Sequence, residues 1–162
     1  MQEALIHNAQ TYASRHNLQL VERLGHGVHG IVLVGEDKGK PGKTAIKAHE
    51  HFEPYVQERR IYQRLQEAGI TEVMEFHVPE LIRYDDELRI IEMTIVTPPF
   101  VLDFAGARLD FPPDFPEEVW EEWETEKKEQ FGSRWPEARA VLGALEEFGI
   151  YVLDVSPRNI TF

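Results

Sequence analysis

The chain has 162 residues, no cysteine, and 29 acidic against 17 basic side chains, giving a formal net charge of −12. The absence of cysteine excludes disulfides, thiol catalysis and cysteine-ligated metals, and no apolar run approaches the roughly 18 residues needed to span a membrane. A nucleic-acid binder needs a basic face, which the sequence lacks, so we expect neither nucleic acid nor a membrane as a partner.

The length predicts one domain or two small lobes. The first twenty residues have no basic start and no long apolar core, so they do not resemble a signal peptide and instead predict a short helix. Together with the missing cysteine, this start favours a cytoplasmic location.

Residues 19–34 predict two strands joined by Gly25, Gly27 and Gly30, at the spacing G-x-G-x-x-G. Such a loop lets backbone N–H groups approach phosphate oxygens closely. It opens into the strand IVLV and not into a helix, which excludes the dinucleotide-binding arrangement. On the glycines alone, a structural hairpin is favoured over a phosphate cover, and His26 and His29 are interpreted as exposed loop residues.

A turn at 37–42 and a third strand at 43–48 come next. Because side chains alternate along a strand, Ala45 and Lys47 share one face, where a small residue beside a cation leaves space for a flat base. An isolated strand lysine more usually reaches solvent. His49 and His51 also share a face, but without a third ligand a polar loop is favoured over a metal site.

A helix is predicted over 54–68, capped by Gly69. Apolar residues lie three positions before Glu58 and three, four and seven after it, which places this carboxylate on the apolar face. A buried carboxylate without a partner costs on the order of several kcal/mol, so a pair with Lys47 is the favoured hypothesis. The alternative is a carboxylate at the edge of the stripe that reaches water.

The rest of the chain contains a hairpin, a proline-broken segment and helices. Strands at 79–84 and 88–96 flank the turn 85–87. The segment 97–116 follows, and then helices over 117–131 and 136–148. Because strands come first and helices after, the order favours the α+β class.

Three motifs in chain order, LGHGVHGIV, TAIK and the helix with Glu58 in E-x-x-x-Y-x-x-L, resemble the N-terminal lobe of the protein-kinase-like superfamily. The short Lys-to-Glu interval is most similar to its compact bacterial and atypical members. The resemblance implies an N-terminal antiparallel sheet with one packed helix over 1–96, and a reduced helical C-terminal lobe over 97–162. It also implies that Lys47 holds the α- and β-phosphates of ATP and that Glu58 orients Lys47.

The same resemblance implies an ATP pocket. The segment 92–96 is similar to the hinge whose backbone holds adenine, with its register left open. The implied nucleotide-binding residues are Gly25, Gly27, Gly30, Val32, Ala45, Lys47, Met93 and Ile95.

The tail contains Asp154-Val155-Ser156-Pro157-Arg158-Asn159, which resembles the kinase catalytic loop D-x-x-x-x-N. Asp154 would accept the proton of the substrate hydroxyl, and Asn159 would hold Mg²⁺. Val152 stands where a histidine is usual. An ordinary turn is the alternative, because Asp, Ser-Pro and Asn all favour turns.

The second metal-binding aspartate of the family, in D-F-G, does not follow Asn159 before the sequence stops. The resemblance therefore implies an ATP-binding protein that is weakly active or inactive in phosphoryl transfer. The alternatives are an active small kinase with a non-standard metal site and a kinase-shaped interaction module that binds no nucleotide. Val101-Leu102-Asp103-Phe104-Ala105-Gly106 contains D-F-A-G, but a strand-ending aspartate in a linker is favoured over a metal ligand at Asp103.

Two apolar stripes mark the C-terminal helices. Trp120, Trp123 and Phe131 predict core packing on a helix whose other side is acidic and solvated. A second stripe contains Val141, Leu142, Leu145 and Phe148. More protein would cover this region in a complete kinase, so the stripe predicts an uncovered apolar face that binds a protein partner or a second copy.

Overall fold

The computed structural model describes residues 1–162 and confirms the predicted α+β class. The helices are α1 (Gln2–Arg15), α2 (Phe52–Glu67), α3 (Glu117–Phe131) and α4 (Trp135–Glu146). The strands are β1 (Leu18–Gly27), β2 (Gly30–Asp37), β3 (Lys43–His49), β4 (Glu72–Val73), β5 (Phe76–His77), β6 (Leu81–Asp85), β7 (Ile90–Thr94), β8 (Phe100–Val101), β9 (Arg108–Leu109), β10 (Ile150–Tyr151) and β11 (Ile160–Thr161). No helix is both long and apolar enough to cross a bilayer.

An antiparallel sheet with the strand order β1-β2-β3-β7-β6 forms the N-terminal half. Its central strand, β3, has two different faces because successive side chains point in opposite directions. Ile46 and Ala48 belong to the cluster that packs against α1. Ala45 and Lys47 point to the opposite side, where α2 lies.

Helix α1 closes the face of the sheet that is remote from α2. The predicted N-terminal helix is therefore present. The resemblance implied a single helix packed on the sheet, whereas the structure has two, α1 and α2. Its buried Tyr12 donates a hydrogen bond of 2.6 Å to Glu92 Oε2. Glu92 also accepts hydrogen bonds from Arg83 at 2.8 Å and from Thr44 at 2.9 Å, so this buried carboxylate is fully paired.

The larger core cluster of 24 buried residues runs from β3 and α2 through to α4 and β11. Short strands join the two halves of the chain, in the order β11-β8-β5-β4. The pairing of β11 with β8 is antiparallel, with Ile160 opposite Val101. This pairing brings the tail back against β8, in the segment that follows β7.

The longer predicted elements agree with the structure to within a few residues, and Gly69 follows α2 with φ +68° as its cap requires. The two-residue strands were not predicted. The predicted uncovered face of α4 is wrong, because Val141, Leu142 and Leu145 are at most 2% exposed within the core cluster. Helix α3 and the short strands β4 and β10 pack against α4 within the same chain.

Candidate functional site

Lys47 and Glu58 meet in the interior between β3 and α2. Lys47 Nζ lies 3.0 Å from Glu58 Oε1 and 2.8 Å from Oε2. Lys47 is 8% exposed and Glu58 is 0% exposed. Tyr55, Ile61, Tyr62 and Leu65 surround the carboxylate with the apolar face of α2. The ammonium group therefore supplies the partner that a buried carboxylate requires.

The ionisation of this pair follows from its surroundings. Burial acts to raise the pKa of Glu58, but the charge of Lys47 and the hydrogen bond from His49 outweigh it and lower the pKa to about 2. Burial acts to lower the pKa of Lys47, but Glu58 and Asp103 outweigh it and raise that pKa. Both groups are consequently charged at neutral pH.

Asp103 is the second carboxylate at Lys47. Its Oδ1 lies 2.9 Å from Lys47 Nζ, and its side chain is 41% exposed. The backbone of Asp103 is in the left-handed region, at φ +69°, a conformation that non-glycine residues rarely adopt outside functional sites and turns. The linker interpretation of Asp103 thus misses a direct contact with the candidate site.

Phe104 fixes the position of this aspartate. It is fully buried, its ring packs edge-on against Tyr62 at 5.4 Å between centroids, and its N–H donates to Glu58 Oε1 at 3.3 Å. Gly106 follows two residues later. A Cβ at Gly106 would lie 3.6 Å from the Cβ of Asp154 and 4.0 Å from His29 Nε2, so the segment 103–106 lies where the tail and the glycine loop converge.

His49 is a third partner of Glu58. Its Nε2 lies 2.6 Å from Glu58 Oε2, its Nδ1 lies 3.3 Å from the carbonyl oxygen of Arg89, and it is 0% exposed. The interpretation of His49 as part of a polar loop is wrong, because the residue belongs to β3 and faces the interior. His51 is exposed, with 69% of its side chain accessible.

A cavity of about 530 Å³ opens between the glycine loop, β3, the end of β7 and the segment that follows β7. Lys47, Glu58 and Asp103 lie along its wall together with all of the residues that the resemblance assigned to the nucleotide. The full lining consists of Leu24, Gly25, His26, Gly27, His29, Gly30, Val32, Ala45, Lys47, Glu58, Tyr62, Pro79, Met93, Thr94, Ile95, Val96, Phe100, Leu102, Asp103 and Arg158.

The end of the cavity away from Lys47 is apolar and offers unpaired backbone groups. Val32 and Ala45 come from the sheet, and Phe100 and Leu102 come from the segment that follows β7. Ile95 and Val96 lie just beyond β7, and neither takes part in the backbone hydrogen bonds of the loops. Their N–H and C=O groups are thus available to a planar ligand that carries donors and acceptors.

The tail loop is built around Asn159. Its Oδ1 accepts a hydrogen bond of 2.7 Å from the N–H of Ser156, and its Nδ2 donates to the carbonyl of Asp154 at 3.0 Å. The carbonyl of Asn159 accepts a bond of 2.9 Å from the N–H of Leu102, next to Asp103. Asp154 and Asn159 are not part of the cavity lining, whereas Arg158 is. The side chain of Asn159 therefore stabilises its own loop through these hydrogen bonds.

Helix α3 holds the same loop from the other side. Trp123 Nε1–H donates to the carbonyl of Leu153 at 2.9 Å, and Lys127 Nζ donates to the carbonyl of Val155 at 2.8 Å. Lys127 is only 5% exposed, although it stands in a strongly acidic helix. Two side chains of α3 thus position the backbone on both sides of Asp154.

No group of three or more His, Asp or Glu side chains converges as a metal site anywhere in the chain. The carboxylate of Asp103 has one oxygen that is not bound to Lys47, and Asn159 Oδ1 has a second lone pair. Carboxylate and amide oxygens are the kinds of ligand that Mg²⁺, a hard cation, prefers. His26 and His29 line the cavity at the glycine loop and make no ion pair.

Sequence reasoning missed His49, Tyr62 and Arg158. His49 follows Lys47 by two positions on a strand, so the alternation that placed Ala45 and Lys47 on one face also placed His49 there. Tyr62 is the fourth residue after Glu58, on the same side of α2. No local pattern pointed to Arg158, because its position depends on the long-range pairing of β11 with β8.

Comparison with known proteins gives two distant matches among solved structures. No protein-family model and no curated protein matches the chain. Two solved structures of the PknI kinase domain from Mycobacterium tuberculosis match 87% of the chain, with 18% and 20% identity and TM-scores of 0.39 and 0.38. The chain spans about half of those domains, at 53% and 52% of their lengths.

Proposed function

We propose that the chain binds ATP, with Mg²⁺, in the cavity beneath the glycine loop. The observation that carries the proposal is the position of Lys47, which is held by Glu58 and Asp103 at one end of a cavity whose other end is apolar. A nucleotide has the matching polarity, with a flat base at one end and phosphates at the other.

The base would lie in the apolar part of the cavity. Val32 and Ala45 offer one flat wall, and Phe100 and Leu102 offer the opposite one. The free backbone groups of Ile95 and Val96 are suited to the donor and acceptor edge of adenine. Met93, paired with Ala45 across the strands, closes the back of this part.

The phosphates would lie between Lys47 and the glycine loop. Gly25 and Gly27 have open space where a Cβ would stand, so the backbone can approach a ligand closely. Mg²⁺ offsets phosphate charge when it is bound, and Asp103 and Asn159 would hold it. Glu58 keeps Lys47 charged and directed into the cavity.

We infer that phosphoryl transfer is weak or absent. Asn159 is a neutral ligand and its Oδ1 already accepts a hydrogen bond from Ser156, so Asp103 is the only acidic ligand proposed for the ion. Lack of a second charged metal ligand costs on the order of a thousandfold in rate. Active phosphoryl transfer is the second candidate, favoured by the hydrogen bond between Leu102 and Asn159, which brings Asp103 toward the loop that carries Asp154.

Calorimetric titration with ATP and Mg²⁺ tests the proposal, with wild type compared with Lys47→Ala. We expect binding by the wild type and a loss of at least about tenfold in the variant. Lys43→Ala is the matched control, because Lys43 lies on the same strand in an exposed ion pair with Glu36. Absence of binding by the wild type would contradict the proposal and favour an interaction module.

Release or transfer of the γ-phosphate separates the two candidates. Binding without turnover supports the first. Turnover that Asp154→Ala abolishes supports the second, since Asp154 would be the proton acceptor. Asp114→Ala, an exposed aspartate far along the chain, controls for the loss of surface charge.

A further inference from the structure

Glu58 accepts more hydrogen bonds than its pairing with Lys47 requires. Oε1 accepts from Lys47 and from the N–H of Phe104, while Oε2 accepts from Lys47 and contacts His49 Nε2 at 2.6 Å. Because the carboxylate is ionised, it has no proton to donate. The hydrogen of this short contact therefore belongs to His49 Nε2.

The other ring nitrogen of His49 also faces an acceptor. Nδ1 lies 3.3 Å from the carbonyl oxygen of Arg89, and a carbonyl can only accept. A neutral imidazole with its proton on Nε2 would leave a lone pair directed at this oxygen in a site without solvent access. Protonation of both nitrogens satisfies both contacts, and unsatisfied buried polar atoms are rare in folded proteins.

The charges around the site then balance. Lys47 and His49 contribute two positive charges, and Glu58 and Asp103 contribute two negative charges. The remaining groups at His49 are the ring of Tyr55, at 5.5 Å between centroids, and Arg89, whose Nε donates to the His49 carbonyl at 3.3 Å. Neither adds a negative charge, so Glu58 is the only anion in contact with the imidazole.

We propose that His49 is a buried imidazolium that neutralises Glu58 and so leaves the charge of Lys47 available to an anionic phosphate. With His49 charged, Lys47, His49, Glu58 and Asp103 together carry no net charge. With His49 neutral, the same four groups carry a net charge of −1, which repels the phosphates. His49 is thus a positioning and charge-balancing residue, and it does not itself touch the ligand.

This inference rests on the proposed nucleotide site and predicts that the charge of His49 affects the binding of some ligands and not of others. ATP affinity depends on the charge of His49, whereas adenosine affinity does not, because adenosine has no phosphate. Raising the pH until His49 loses its proton weakens ATP binding. His26 and His29 also line the cavity, so their titration is removed with His26→Gln and His29→Gln when the pH profile is measured.

Nitrogen-15 NMR of the ligand-free protein tests the charge directly. We expect both ring nitrogens of His49 to carry a proton at neutral pH. A His49 Nδ1 without a proton at neutral pH would overturn the inference. This measurement does not depend on nucleotide binding, so it separates failure of the inference from failure of the proposed function.

Binding of ATP and adenosine is then compared in His49→Gln, which keeps a hydrogen-bond donor but removes the charge. We expect ATP to bind about tenfold more weakly and adenosine to bind within about twofold of wild type. His51→Gln is the matched control and changes neither. Equal weakening of both ligands would indicate a purely structural role and overturn the inference, as would no change in either.

If His49→Gln does not fold, the pH profile of the chain with His26→Gln and His29→Gln serves in its place. The ratio of ATP to adenosine affinity should change with the same midpoint as the NMR titration of His49. A ratio that stays constant while His49 titrates, or that changes with another midpoint, would overturn the inference.

Discussion

Asp103 Oδ1 lies 2.9 Å from Lys47 Nζ, although 56 positions separate the two residues in sequence. The contact forms because β8 ends two residues before Asp103, beside β11, and because buried Phe104 anchors the next position against Tyr62. A carboxylate that shares a lysine with Glu58 is thereby placed at the edge of the cavity, with 41% of its side chain exposed.

Asp103→Asn should change ATP affinity in opposite directions with and without metal. Without Mg²⁺, removing a negative charge beside the phosphate site should strengthen ATP binding. With Mg²⁺, loss of the charged ligand should weaken it by at least about tenfold. Titration calorimetry in EDTA and in Mg²⁺ measures both, and Asp114→Asn should change neither. The same direction of change in both buffers would argue against a metal contact by Asp103.

Lys47→Ala should destabilise the fold as well as reduce binding. The variant leaves Glu58 buried with only His49 and the Phe104 N–H as partners, and breaking a buried pair typically costs about 3–5 kcal/mol. Chemical denaturation at pH 7 gives the free energy of unfolding. Lys43→Ala, at an exposed pair, should cost less than about 1 kcal/mol. Equal losses in the free energy of unfolding of the two variants would show that the buried pair contributes no more to stability than the exposed pair.

The free energy of unfolding should fall on acidification. The pKa of Glu58 is about 2 in the folded chain and 4.5 as its ordinary value, so its contribution is present above about pH 4.5 and is lost as the pH falls toward 2. The full shift corresponds to about 3 kcal/mol. Glu92, whose pKa is also lowered against burial by Arg83, Tyr12 and Thr44, contributes in the same direction.

Glu58→Gln is the test of this pH dependence. The variant should be less stable than wild type at pH 7 and should lose less stability between pH 5 and pH 2. Glu92→Gln should remove a separate part of the slope, since Glu92 lies on the α1 face of the sheet. Unchanged acid slopes in both variants would contradict the assigned pKa shifts.

Two glycines of the loop should respond differently to alanine. A Cβ on Gly30 would lie 2.0 Å from the carbonyl oxygen of Ala48, and Gly30 has φ +155°. Gly30→Ala should therefore force β2 from β3 and lower the melting temperature by several degrees. Gly27 has nothing within 4 Å of its Cβ position, so Gly27→Ala should fold normally. Thermal unfolding by circular dichroism compares them, and equal melting temperatures would contradict the assignment.

Trp123→Phe should loosen the tail loop. The change removes the hydrogen bond to the Leu153 carbonyl while keeping most of the aromatic contact with Trp135. Amide hydrogen exchange over 153–161 should accelerate several-fold, since each lost bond is worth about 1 kcal/mol. Trp120→Phe, at a position of α3 with no hydrogen bond to the tail, should leave these amides unchanged. Faster exchange in both variants would point to general destabilisation of α3.

Periodicity predicted the parts of the fold that are locally encoded. The helix around Glu58 and the hairpin of β6 and β7 are long enough for their patterns to stand out, and alternation on β3 placed Ala45 and Lys47 on one face. The two-residue strands β8 and β11 have no such pattern, because the pairing that defines them is between distant segments. Asp103 was therefore interpreted as a linker residue.

The candidate site shows the same contrast between contacts that a local pattern predicts and contacts that depend on the packing of distant segments. The pair of Lys47 and Glu58 was predicted from the cost of burying a carboxylate on an apolar helix face. The contact of His49 with Glu58 was missed because a histidine two positions after a lysine is equally compatible with a surface loop. The stripe on α4 was predicted correctly as apolar, but its covering by the same chain depends on how the helices and short sheets pack.

The two faces of β3 allow the stability and the ligand preference of the protein to be changed separately. Ile46 and Ala48 belong to the core cluster that includes α1, whereas Ala45 and Lys47 face the cavity. Randomising the first pair should therefore yield a collection of chains that differ in heat resistance while retaining one ligand preference. Varying Ala45 should alter which flat molecules fit, with little penalty to the layer behind it.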